Sequence, residues 1–194
     1  MMDSGLTPKP RRSRGIRHQP RDWRMYDHLG RARKLSTGQV AKLEFPTSTG
    51  SRERAARSRL YLLKKEGSYL TNRPDLKGVG TAWELTREGF RVMRESPSEA
   101  YPAPLDPDRA RHLIATNDVY VGLVRMPRGL PGIEDADWRW VPEPLCQWRY
   151  DVPLEPRRQR RSGAGAGRLL KPDAEVVLFE EVVFFIERQT AWAK

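Results

Sequence analysis

Side chains suited to chemistry fall in two places. Between Ser51 and Glu66 a helical period puts Ala56, Leu60 and Leu63 on one stripe and Arg54, Arg57, Ser58, Tyr61 and Lys65 on the face opposite. Guanidinium, ammonium, hydroxyl and phenol groups spaced in this way can bond phosphate oxygens and base edges, as an inserted recognition helix does. On an ordinary surface helix the same groups would only be solvated. Near the other end of the chain, Pro172-Asp173-Ala174 opens one strand pattern, Glu175–Phe179, and Glu187 closes the next, Val182–Ile186. An antiparallel hairpin can bring the carboxylates of Asp173 and Glu187 together, and register decides whether it does. Converging carboxylates bind Mg²⁺ and can position it for phosphodiester hydrolysis. Two solvated acids at strand ends are the alternative that spacing leaves open.

Elsewhere reactive groups are sparse. The one cysteine, Cys146, excludes internal disulfides and a multi-cysteine zinc site and reads as a small core or surface residue. His112 has no serine or cysteine nucleophile context and reads as a capping or surface histidine. Trp138, Trp140 and Trp148 cluster around Glu143. Such rings can stack unpaired bases, but packing against a sheet is the reading adopted, because tryptophan mainly supplies buried area.

The elements that would carry the basic face follow from pattern. Trp23, Tyr26, Leu29, Ala32 and Leu35, with Met25, form a helical stripe. Ser36 and Gln39 form a capping box that opens a short helix bearing Val40 and Leu43, stopped by Pro46. The Ser51–Glu66 helix comes third, with Gly67 as its stop. Ser68–Arg73 reads as a strand, Pro74–Gly80 as a turn, and Thr81–Thr86 as an alternating strand. Thr86 then caps a helix over Arg87–Arg94. Three helices followed by a two-stranded hairpin make a winged helix-turn-helix, with Arg73 and Lys77 on the wing. A Pro-rich linker spans residues 97–107, and a helix over Asp108–Arg125 buries Ala110, Leu113, Val121 and Val124.

Composition agrees with a polyanionic partner. The 194 residues carry 36 Lys plus Arg against 25 Asp plus Glu, a net charge of +11, which points to nucleic acid. Ten of these bases lie in residues 1–34 against three acids, and Arg11, Arg12 and Arg14 sit in a stretch without hydrophobic period. Residues 1–20 read as a flexible basic arm that contacts phosphates or a minor groove, or else as a solvated tail. Arg157, Arg158, Arg160 and Arg161 head a Gly/Ala-rich loop over residues 157–168. Pro172–Lys194, by contrast, holds five acids and two bases. No apolar run approaches the ~20 residues of a membrane span, and no secretory signal opens the chain. The expected location is cytoplasmic and nucleoid-associated.

Several short stretches share their order and spacing with a known family. They are Arg57-Ser58-Arg59-Leu60, Leu85-Thr86-Arg87-Glu88-Gly89, His112 through Val119, Trp140-Val141-Pro142-Glu143, Pro172-Asp173-Ala174, and Phe185 through Thr190. From Trp23 to Lys194 the chain resembles the replication-relaxation family of plasmid and mobile-element proteins. The C-terminal hairpin also resembles the PD-(D/E)xK nuclease core. The family resemblance implies a DNA-binding protein linked to replication or transfer of a mobile element, with a restriction-endonuclease-like second half. Carried over by position, Glu143, Asp173 and Glu187 would be its acidic cluster, and Asp173 and Glu187 its Mg²⁺ ligands. Gln189 stands where the nuclease pattern has Lys, Glu187 takes the place of the family's Asp, and Phe185 replaces its first acid. The pattern therefore supports the fold more than cleavage.

The resulting expectation is an α+β chain. Residues 21–96 form a winged-helix domain, and residues 108–194 form a small restriction-endonuclease-like α/β segment, truncated relative to the family, where a further helix would pack on the sheet. Its partner is double-stranded DNA, bound without a cofactor, with Mg²⁺ needed only for cleavage. A homodimer or a relaxosome-like protein partner would cover the apolar sheet.

Overall fold

The computed structural model describes residues 17–45, 51–93, 104–125, 138–143, 145–150, 168–178 and 182–187. It is a mixed α+β structure with five helices and small antiparallel sheets among those residues.

Helix α1 (Pro20–Ala32) starts on a capping box. Proline suits the first turn, where its missing N–H costs nothing, and the Asp22 carboxylate accepts the Gln19 N–H at 2.7 Å. Met25, Tyr26, Leu29 and Ala32 are buried as the stripe requires, but Trp23 stays 41% exposed. Leu35 does not continue the helix. It pairs with Trp83 in a two-residue strand, β1 (Leu35–Ser36), because the chain must turn before the next capping box. That box forms as read, with Gln39 N–H on Ser36 Oγ at 3.2 Å and Ser36 N–H on Gln39 Oε1 at 2.9 Å, and opens α2 (Thr37–Glu44).

Helix α3 (Arg52–Glu66) buries Ala56, Leu60 and Leu63, and the Gly67 N–H closes it on the Leu63 carbonyl at 2.9 Å. Strands β2 (Leu70–Leu76) and β3 (Gly80–Leu85) follow, giving a sheet ordered β1-β3-β2. β2 runs past the expected end, because a register shift between Arg73 and Leu76 accommodates Pro74. The turn takes positive φ at Gly78 (81°) and Gly80 (76°), a conformation other residues rarely adopt. Thr86 caps α4 (Arg87–Met93), accepting the Gly89 N–H at 3.1 Å. Gly89 abuts the Tyr69 carbonyl so closely that a Cβ there would lie 2.3 Å from its oxygen.

Helix α5 (Pro107–Arg125) begins where Asp106 Oδ1 accepts the N–H groups of Asp108 and Arg109. It buries Ala110, Leu113 and Val121 and keeps Val124 partly buried. The three tryptophans lie in strands: β4 (Trp138–Pro142) holds two and β5 (Trp148–Tyr150) the third. β5 pairs with β6 (Arg168–Leu170), whereas β7 (Ala174–Leu178) lies between β4 and β8 (Val182–Ile186).

Both halves of the chain feed one apolar cluster. Met25, Leu29, Leu60 and Trp83 share it with Tyr120, Val121, Trp140, Ala174 and Val176. Buried polar side chains bolt α5 to the first half. Asn117 Nδ2 donates to the carbonyls of Ala32 (2.9 Å) and Lys34 (2.8 Å), and Gln39 Nε2 donates to that of Ile114 (2.6 Å). No helix among the described residues is long and apolar enough to cross a membrane.

Candidate nucleic-acid interface

The fifteen residues of α3 are mostly strong helix formers. Glu53 in its first turn and Lys64 and Lys65 in its last complement the helix dipole. With the apolar stripe buried, Arg54, Arg57, Ser58, Tyr61 and Lys65 are all exposed. They are not equally available. Arg57 Nη2 bonds Glu53 Oε1 at 3.1 Å. Tyr61 sets its ring edge-on to Trp83, centroids 5.1 Å apart, so part of it serves as a lid on the core. Lys64 Nζ bonds Asn72 Oδ1 and ties α3 to β2. Arg73 is exposed on β2 with Nη1 3.3 Å from the Leu105 carbonyl, and Lys77 is exposed in the turn. Arg11, Arg12, Arg14, Arg157, Arg158, Arg160 and Arg161 lie outside the described residues, as does Gln189.

One border of α3 carries an ion pair that sequence reading missed. Asp22 is 0% exposed. Arg59 Nε reaches its Oδ1 at 2.9 Å, and Nη2 bonds Oδ2 as well as the Arg17 carbonyl, the latter at 3.1 Å. Burial alone would push the Asp22 carboxyl up. The Arg59 and Gln19 hydrogen bonds, together with the Arg59 charge, outweigh it and leave the carboxyl below its usual value. The Arg59 guanidinium is held above its usual value, chiefly by the hydrogen bond to Asp22.

The acidic residues meet in register. Pro142 pairs with Ala174 and Ala174 with Ile186, so Glu143, Asp173 and Glu187 each lie one residue past a paired row, at the same end of the sheet. Glu143 N–H donates to the Asp173 carbonyl at 3.1 Å, and Asp173 N–H to the Ile186 carbonyl at 3.0 Å. Arg33, at a positive φ of 62°, uncommon for a non-glycine residue, donates from Nη1 to the Glu143 carbonyl at 2.7 Å. His112 is not a lone surface group, because its Nε2 is 2.6 Å from Asp173 Oδ1. Cys146 is buried and bonds the Pro172 carbonyl through Sγ at 3.1 Å. Burial pushes its thiol up to about 11, and the charges of Glu175, Glu143 and Asp173 push the same way. Among the described residues no group of three or more His, Cys, Asp and Glu side chains is placed to hold a metal ion.

A third feature is a cleft of about 490 Å³ between α1, α2, α5 and β4. On its wall His28 Nδ1 meets Tyr120 Oη at 2.7 Å and Nε2 meets Glu44 Oε1 at 3.1 Å, while Arg24 Nε donates to Glu44 Oε2 at 2.9 Å. These groups satisfy one another and join three helices. No sequence signal announced this network, or the Asp22–Arg59 and His112–Asp173 pairs, since their members are far apart in the chain.

The family model described as replication-relaxation matches residues 26–191. No curated protein and no solved structure gives a match.

Proposed function

The chain belongs to the replication-relaxation family, and on that footing we propose that it binds duplex DNA in the replication or transfer of a plasmid or other mobile element. The binding unit is a winged helix in which α3 is the recognition helix and the β2–β3 hairpin is the wing. The observation that carries this reading is the division of α3 into a buried apolar stripe and an exposed face bearing Arg54, Arg57, Ser58, Tyr61 and Lys65. The element order α1-β1-α2-α3-β2-β3 supports it, with Arg73 and Lys77 exposed on the hairpin and a net charge of +11. Binding of this kind needs no cofactor.

The second half, α5 followed by the antiparallel set β4-β7-β8, supports a restriction-endonuclease-like segment. Its chemistry is not called on. The Asp173 carboxylate is engaged by His112, and Gln189 stands where the nuclease pattern has an amine. A protein-binding role is favoured by the outer strand β8, where Val182, Phe184 and Phe185 remain exposed. Its partner would be a second copy or a relaxosome-like complex, and a solution mass measurement tests for the former. The proposed setting is the nucleoid.

The test is duplex binding measured across a salt series. Each neutralised phosphate adds about −0.9 to the slope of log K against log salt. Arg54→Ala and Arg57→Ala should each weaken binding without unfolding the chain, Arg57 less because it shares its guanidinium with Glu53. Unchanged affinity after both substitutions overturns the assignment of α3.

A further inference from the structure

We propose that α3 reads a thymine methyl group through Leu62 and a guanine through Arg54, so that the duplex it selects holds those two bases within about four base pairs of each other. This rests on the DNA-binding reading above and names the base-edge chemistry of the site it recognises.

At about 100° per residue, the exposed arc of α3 divides into two columns with Ser58 between them. Arg54, Tyr61 and Lys65 form the column nearer the hairpin, which meets α3 through the Lys64–Asn72 bond and the Tyr61–Trp83 ring contact. Ala55 and Leu62 form the column on the far side, and all six residues are exposed. The cations of this helix differ in what they have left to give. Glu53 holds Arg57, Asp22 holds Arg59, and Asn72 holds Lys64. Among the described residues Arg54 and Lys65 have no such partner. Arg54 stands in the first turn of α3, the end from which a recognition helix contacts base edges. Its planar fork matches N7 and O6 of guanine, the commonest specific contact an arginine makes in the major groove.

Leu62 is 40% exposed. Its neighbours three and four residues away on the helix surface are Ser58, Arg59, Lys65 and Glu66. A protein surface laid on Leu62 would have to strip water from Lys65 and Glu66 as well. The major groove offers instead a single projecting methyl group at each thymine. Leu62 can meet that group while Lys65 turns to a phosphate and Glu66 stays in the water that such interfaces retain. The small side chains of Ala55 and Ser58 let the helix lie close enough to the base edges for a leucine to reach them. Arg54 and Leu62 are separated by two turns of α3, roughly 12 Å along its axis, which is about three to four base-pair steps.

The experiment uses the full chain and a duplex that it selects from a randomised pool. Each thymine is replaced in turn by deoxyuridine, which lacks only the methyl group. At one position wild-type binding should weaken about fourfold, the transfer value of one buried methyl group. Leu62→Ala should bind the thymine and deoxyuridine duplexes alike at that position. Leu62→Met, which keeps the apolar reach, should retain the preference. Leu62→Gln keeps length and helix propensity without the apolar end and serves if Leu62→Ala fails to fold. A guanine within about four base pairs should behave in parallel. There 7-deazaguanine, which lacks one of the two acceptors a forked arginine uses, should weaken wild type about fivefold or more and leave Arg54→Ala indifferent. A deoxyuridine series without effect, a methyl preference that survives in Leu62→Ala, or a selected site with no such guanine overturns the proposal. If Arg54→Ala still weakens binding in that case, the assignment of α3 stands without the methyl contact. If Arg54→Ala and Leu62→Ala both bind every duplex as wild type does, α3 is not the reading helix and both readings fail, as they do if no duplex is retained.

Discussion

Arg59→Ala strands a carboxylate. Asp22 is 0% exposed, and after the substitution the Gln19 N–H is its remaining named partner. Breaking a buried ion pair from one side costs about 3–5 kcal/mol. For a chain of this size each kcal/mol moves Tm by about 2–4 °C, so Tm should fall by roughly 6–20 °C at neutral pH. The pH dependence has a definite sign. In the wild type the folded Asp22 pKa lies below its ordinary value, about 3.9. The pair's contribution is therefore complete above that pH and is lost as pH drops through the folded value. In the variant, burial, the largest influence on Asp22, has lost the Arg59 bonds that opposed it and keeps chiefly the Gln19 hydrogen bond against it, so the Asp22 pKa should rise and acid should relieve the strain by protonating it. The Tm gap between the two proteins should be widest near neutrality and narrow towards about pH 4. Asp22→Ala combined with Arg59→Ala should cost less than the sum of the single changes, because contacting residues couple by about 0.5–3 kcal/mol. Thermal melts of the four proteins over that pH range measure all of this. A drop below about 2 °C, a gap that ignores pH, or strict additivity would refute the argument.

Two further outcomes follow from packing. Gly89→Ala places a methyl group 2.3 Å from the Tyr69 carbonyl oxygen, so α4 must shift. A loss of about 1–3 kcal/mol is expected in denaturant melts, and an unchanged midpoint would contradict it. Trp140 is 4% exposed and shares its cluster with Leu29 and Trp83. Trp140→Ala should cost about 3–5 kcal/mol and lower the melting of α1 and α3 along with that of the second sheet, seen as one shifted transition by circular dichroism; two separate transitions would speak against a shared core.

Legibility from sequence tracked how local each interaction is. The α3 stripe, the Ser36–Gln39 box, the Thr86 cap and the Asp108–Arg125 helix were all readable, because each is decided within a few residues. Leu35 was misplaced, since its partner is Trp83 on β3 and nothing near it in the chain reveals a two-residue strand. The tryptophans gave no strand pattern, because β4 earns its place by pairing with β7, beyond a long intervening stretch. The alignment of Glu143, Asp173 and Glu187 depends on the register of three strands. The commitment of Asp173 to His112 crosses 61 positions, and that of Asp22 to Arg59 crosses 37. No periodicity registers such pairs.

Asn117 has a consequence for how the protein is made. Its carboxamide supplies donors to the carbonyls of Ala32 and Lys34 at the end of α1, 85 and 83 residues earlier. A ribosome adds about 5–20 residues per second, so roughly 4–17 s of translation separates the synthesis of those carbonyls from the arrival of their donor. During that interval the nascent first half has neither this closure nor the Tyr120 and Trp140 rings that cover its core. The first half of the chain is made first, but its folding is completed only once α5 has followed it.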